Sequence, residues 1–397
     1  MWLLWFLCVA SSSLVCCLGA HRNKEPNTVP GRSVIVHLFE WRFDDIADEC
    51  ETFLGPRGYG AVQTSPVNEH GIILGDVVRR PWYERYQPVS YKIKNRSGNE
   101  SQFRDMVRRC NQAGVRVYID VVINHMTGGL QMNKGTAGSI FNYAEFSYPA
   151  VPYGPEDFNR KEHCGTSSGT IESYGDANQV RNCELVGLRD LNMGREHVRA
   201  KVADYLNRLI DFGVAGFRVD AAKHMWPHDL EAIYDRLKDL STEFFPADTK
   251  PFIYQEVIDL GHGEPVTRWH YRHLGRITEF MYGAKLGTWR QIYNLVELHN
   301  VAGFMPVSNW WDNGYHAIAF GRGNATFIAI NNEDFRLDAV LQTSLPPGRY
   351  CDVISGSKTS TGCSGRVIDV RNDGKVDLTV DNAWEDPMVA LHIHAKI

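Results

Sequence analysis

Between Ser33 and Phe280 the chain alternates short apolar runs with helix-length amphipathic segments. The runs are 33–38 (SVIVHL), Tyr59–Gln63, Val115–Val122, Val214–Asp220, Phe252–Glu256 and Arg276–Phe280, and helical patterns cover Asp44–Leu54, Gln102–Gln112, Val198–Phe212 and Asp229–Leu240. In Val198–Phe212 the residues Val198, Val202, Tyr205, Leu206 and Leu209 fall on one face of a 3.6-residue period. Strands joined through helices run parallel, since a crossover of a dozen or more residues returns the chain to the same end of the sheet. Six such strands predict an α/β fold with a parallel sheet, and a closed barrel is one way to complete it.

Two stretches break the alternation. From Asn124 to about Asn178 a mixture of Gly, Ser, Tyr and Pro is too long for an ordinary connection and reads as an inserted loop domain. From about Asn309 the runs become short and alternating, as in 326–330 (TFIAI), and Asn372-Asp373-Gly374 gives a hairpin signal between 367–370 and 376–380. The domain reading is therefore 1–20 leader, 21–123 and 179–308 barrel, 124–178 insertion, and 309–397 C-terminal antiparallel β-sandwich domain.

Residues 1–20 carry no charged side chain and end in small residues, the pattern of a secretory signal, with an uncleaved membrane anchor as the other reading. Removing that segment takes Cys8, Cys16 and Cys17 and leaves Cys50, Cys110, Cys164, Cys183, Cys351 and Cys363, an even number that suits disulfides in an exported protein. Sequons at Asn95, Asn99 and Asn324 fit a secreted surface. With 42 Lys plus Arg against 47 Asp plus Glu, no basic field exists to hold a nucleic acid.

Acidic groups end three of the strands: Asp120, Asp220 and Glu256. Such ends are where barrel enzymes place catalytic groups, although an acid there is equally a helix cap or a satisfied ion pair. Strand alternation puts Arg218 on the side of Asp220, where its guanidinium is expected to keep that carboxylate ionised. One ionised carboxylate beside a proton-bearing one is what glycoside hydrolysis requires. Aromatic residues cluster in 81–88 (PWYERYQP), flat surfaces suited to sugar rings or simply a loop staple. Asn124 and Asp190 flank the insertion with hard oxygens suited to calcium.

Taken in order, 36–41 (VHLFEW), 63–69 (QTSPVNE), 120–125 (DVVINH), 216–224 (GFRVDAAKH) and 255–257 (QEV) resemble the animal α-amylases, calcium-dependent glycoside hydrolases that cut internal α-1,4 bonds of starch and glycogen. The resemblance runs from about Ser33 to Thr288 and resumes at Trp289. It implies a TIM-type (β/α)8 barrel and a retaining mechanism with Asp220 as nucleophile and Glu256 as general acid and base. It implies α-glucan contacts at Trp82, Tyr83, Tyr86, Gln87, His125, Tyr174, Lys223 and His224. Calcium falls to Asn124, Asp190 and the backbone carbonyls of Arg181 and His224, and chloride to Arg218. It also selects one disulfide pairing: Cys50–Cys110, Cys164–Cys183 and Cys351–Cys363. A secreted monomer is expected, with no nucleic-acid or membrane partner.

The chain departs from the family in one respect. The Asn-His-Asp motif that carries the third catalytic carboxylate on the seventh strand is absent, as is a further basic chloride ligand. Each barrel unit takes roughly 30 residues, so two units need about 60, whereas Met281 to Val307 offers 27. The barrel is thus expected to lack strands seven and eight and to catalyse poorly. An inactive relative that only binds α-glucans, or a lectin-like or storage protein, are the alternative functions.

Overall fold

The computed structural model describes residues 23–75, 79–261, 263–278 and 290–397. The leader with Cys8, Cys16 and Cys17, the end of the sixth expected strand at Phe280, and the Thr288–Trp289 junction lie outside the described residues. Contacts divide the chain into two compact units: one drawn from Met1–Thr28, His37–Thr52 and Ala61–Gly283, the other from Val29–Val36, Phe53–Gly60 and Ala284–Ile397.

A six-stranded sheet runs in sequential order, β1 (Ile35–Leu38), β2 (Ala61–Thr64), β3 (Arg116–Val121), β4 (Gly216–Val219), β5 (Phe252–Glu256) and β6 (Arg276–Thr278). The pairings from β2 through β6 are all parallel. This is a partial TIM barrel. β2, β3 and β4 are buried almost throughout, but Ile35, Val36 and His37 of β1 and all of β6 keep solvent exposure. Those two strands end the sheet, and among the described residues neither has a second neighbour. Gly216 is required at the start of β4, because a Cβ there would meet the Phe252 carbonyl at 2.0 Å.

Helices α1 (Phe43–Glu49), α2 (Glu100–Gln112), α3 (Glu196–Asp211) and α4 (Pro227–Tyr234) follow the strands. Asn99 caps α2 through a reciprocal box with Gln102, and Phe103, Met106, Val107 and Cys110 form its buried face. In α3 the expected stripe of Val198, Val202, Tyr205, Leu206 and Leu209 is buried. The helix expected to reach Leu240 stops at Tyr234. Asn207 of α3 donates to the Arg236 carbonyl (3.0 Å) and accepts from the Lys238 amide (2.8 Å), taking backbone groups that a longer helix would use itself.

In the smaller unit α5 (Arg290–Ala302) precedes an antiparallel β domain. A four-stranded sheet has the order β7 (Val307–Asp312), β8 (Ala317–Arg322), β9 (Thr326–Asn331) and β14 (Met388–His392). Two pairs join β10 (Leu337–Gln342) to β13 (Lys375–Val380) and β11 (Gly348–Cys351) to β12 (Val367–Val370). Ala317, Phe327, Leu341, Tyr350, Val376 and Leu391 share one core. The turn at Asn372-Asp373-Gly374 forms, closed by bonds from the Arg371 amide to the Lys375 carbonyl and from the Gly374 amide to the Arg371 carbonyl, but β12 and β13 do not make the hairpin expected from it. Each instead finds a strand of matching length, four residues against four and six against six. Disulfides join Cys50 to Cys110, Cys164 to Cys183 and Cys351 to Cys363, the pairing implied by the resemblance.

Candidate active site

Sheet register assembles the acidic cluster. Asp120 lies opposite Arg218 across β3 and β4, Arg218 opposite Tyr254 across β4 and β5, and Asp220 and Glu256 follow at the same strand ends. Arg218 Nη1 bonds Asp120 Oδ1 at 2.6 Å and Asp220 Oδ1 at 2.7 Å, while Nη2 bonds Glu256 Oε1 at 2.6 Å. One guanidinium therefore serves three carboxylates. Ala221 sits in the left-handed region (φ 51°), which turns its N–H onto Glu256 Oε2 at 2.9 Å. Tyr86 donates to Asp120 Oδ2 (2.8 Å), and His125 Nε2 donates to the Tyr86 carbonyl (3.0 Å).

The electrostatics correct one expectation. Arg218 was expected to keep Asp220 ionised, but Asp220 is pushed up to about 8. Burial is the main cause; the opposing pull of Arg218 is offset by repulsion from Glu256 and Asp120. Burial likewise raises Asp120, lowers His125 to about 4, and raises the Tyr86 phenol. Arg218, carrying these carboxylates, is itself raised.

Asp220 and Glu256 open onto a cleft of about 710 Å³ lined by Trp82, Tyr83, Tyr86, Gln87 and His125. Trp82 and Tyr83 are 39% and 43% exposed, so ring surface is presented to solvent. Sequence reasoning missed the rest of the lining, which comes from Gly128–Leu130, Tyr143 and Leu185–Leu188. The available signal was Leu185-Val186-Gly187-Leu188, an apolar run beside the insertion: Val186 is 86% exposed and held at φ 47°. Tyr174, Lys223 and His224 are not among the lining residues. Lys223 pairs with Glu264 and faces the Tyr174 ring at 5.3 Å, and His224 Nδ1 donates to the Val180 carbonyl at 2.8 Å.

Asn124 and Asp190, far apart in sequence, come together: Asn124 Nδ2 donates to Asp190 Oδ1 at 3.4 Å, and Asn159 Nδ2 to Oδ2 at 2.7 Å. Asp190 is 1% exposed and makes no ion pair with a described residue. Burial drives its carboxyl well above the ordinary range. A buried carboxylate with only amide partners is where a hard cation takes the place of a proton, so this set fits calcium.

Comparison with known proteins places the chain in a family. The family profile described as Alpha amylase, catalytic domain, matches residues 82–259, and that described as Alpha amylase, C-terminal all-beta domain, matches 308–394. The chain is 42% identical to the α-amylase of Oryzias latipes over 498 positions, covering 94% of this chain and 96% of the relative. It is also 42% identical to the pancreatic α-amylase of Homo sapiens over 497 positions, with the same coverage. The first alignment is 101 positions longer than the chain itself, so at least that many positions of the relative face no residue here. A crystal structure of an α-amylase I variant from Eisenia fetida in complex with maltohexaose superposes with a TM-score of 0.87 at 39% identity, covering 94% of this chain and 99% of that one. The chain therefore belongs to the animal-type α-amylase family of glycoside hydrolases, with a barrel of six described strands.

Proposed function

We propose that the site carries the machinery of a retaining endo-α-1,4-glucosidase acting on starch or glycogen, and that the 397-residue chain binds α-glucan while turning it over slowly. The observation that carries this reading is the shared guanidinium: Arg218 holds Asp120, Asp220 and Glu256 together. Asp220 attacks the anomeric carbon to form a glycosyl intermediate. Glu256 protonates the departing oxygen and later takes a proton from water. Both oxygens of Glu256 accept hydrogen bonds, from Arg218 and from the Ala221 amide, so donation requires one of these contacts to be given up. Burial raises Asp220 above the ordinary carboxylate range, which lowers the share present as the nucleophilic carboxylate. Loss of the third carboxylate removes stabilisation on the order of 3 to 4 kcal/mol, or ~100- to 1,000-fold in rate.

Trp82, Tyr83, Tyr86, Gln87 and His125 bind the glucan chain, the rings by stacking; the relative solved with maltohexaose supports this substrate class. Calcium bound by Asn124, Asp190 and the carbonyls of Arg181 and His224 supplies a structural tie between the insertion and the strands. Secretion is supported by the three disulfides. Of the sequons, Asn324 is exposed at the β8–β9 turn, whereas the Asn95 amide donates to the Val67 carbonyl. Equilibrium binding of maltohexaose, with Trp82→Ala as control, tests the reading: binding lost in the variant supports it, and no binding by the unaltered chain refutes it.

A further inference from the structure

Within the smaller unit, Glu297 on α5, His392 at the end of β14 and His394 in the following turn bring their ligating atoms within 4.8 Å of one another. His392 Nε2 is 4.0 Å from Glu297 Oε1. His392 is 2% exposed, and its Nδ1 is buried without a hydrogen-bond partner. A neutral imidazole carries its proton on one nitrogen and a lone pair on the other; Nε2 is the nitrogen that faces Glu297 and is the ligating atom, while the buried Nδ1 keeps the proton. Glu297 is 57% exposed on its side chain and His394 is also exposed, so an ion has a route in from solvent.

We propose that Glu297, His392 and His394 form a divalent metal site of the zinc class. Two imidazoles and one carboxylate are the donors of three-ligand zinc sites, in which water completes a tetrahedron; calcium prefers an all-oxygen set. Metal–ligand bonds of about 2.0–2.2 Å bring neighbouring donors to roughly 3.4 Å. The 4.0 Å gap therefore needs only small side-chain movement. Lys358 opposes the cation: it donates to the His394 carbonyl at 3.1 Å. The bound ion would fasten α5 to the last strand, a stabilising link separate in chemistry from the oxygen set at Asp190.

The test is competition for Zn2+ between the full chain, first stripped with chelator, and a chromogenic chelator. The site predicts one equivalent bound, weakened at least about tenfold by Glu297→Gln or His394→Gln. It further predicts tightening in Lys358→Met, no change in Asp190→Asn, and tetrahedral Co2+ absorption bands. Glu297 and His394 are exposed, and melting of the stripped variants at the unaltered temperature shows that they fold. Failure of Zn2+ to bind overturns the proposal, as does unchanged affinity in the Glu297→Gln, His394→Gln double variant or displacement by equimolar Ca2+.

Discussion

Replacing Asp120 by Asn isolates the electrostatics of the shared guanidinium. The Asp120 and Asp220 oxygens bond the same Arg218 nitrogen at 2.6 and 2.7 Å, so they are at most 5.3 Å apart. At that separation and an effective dielectric constant of about 20, two negative charges repel by about 3 kcal/mol, equivalent to about two pH units in a titration midpoint. Asp120→Asn removes this repulsion and leaves Arg218 to two carboxylates. The Asp220 midpoint, about 8 in the unaltered chain, should fall by about two pH units. A raised carboxyl contributes stability that is complete below its unfolded value near 4 and is lost as pH rises through 8, so the variant should lose it at lower pH. The assay is a pH titration of labelled aspartate carboxyl carbons by NMR, with Asp220→Asn to assign the signal. An unchanged or higher midpoint would refute the reasoning.

Three further outcomes are expected. Adding Ca2+ to the metal-stripped protein should raise the melting temperature of the unaltered chain but not of Asp190→Asn, whose side chain no longer requires a cation; an equal rise in both would count against calcium at that position. Asn99→Ala breaks the reciprocal cap of α2 and should cost about 1 kcal/mol in denaturant unfolding, with an unaffected midpoint contradicting the assignment. His70 is lowered to about 3, mainly by burial, so it must charge when the chain unfolds in acid. Its contribution is present above pH 6.5 and is lost as pH falls toward 3, at up to about 1.4 kcal/mol per pH unit; His70→Gln should melt with a shallower acid dependence.

Local pattern carried much of the fold. The buried stripe of α3, the strands that carry Asp120 and Glu256 and the one that leads into Asp220, and the change of character near β7 follow from periodicities of 3.6 and 2 that individual residues impose. What escaped depends on distant partners. The end of α4 was set by Asn207, a residue on another helix, and the pairing of β12 and β13 by strands from earlier in the chain. The site divides in the same way. Strand alternation placed Arg218 beside Asp220, but only the register across β3, β4 and β5 shows the same guanidinium also holding Asp120 and Glu256. Charge balance at Asp220 was misjudged because the competing carboxylates lie on neighbouring strands. The wall of Leu185–Leu188 escaped because an exposed aliphatic run in a loop has no periodicity to mark it.

A barrel of six described strands that retains Asp220 and Glu256, without the third acid, is proposed to hold α-glucan but hardly to cleave it. Reducing-sugar release from starch by the purified 397-residue chain, beside its Glu256→Gln variant, measures this directly. The account predicts release ~100-fold or more below that of a form with the two missing units restored, and close to that of the variant. Robust release by the 397-residue chain, abolished in Glu256→Gln, would contradict it.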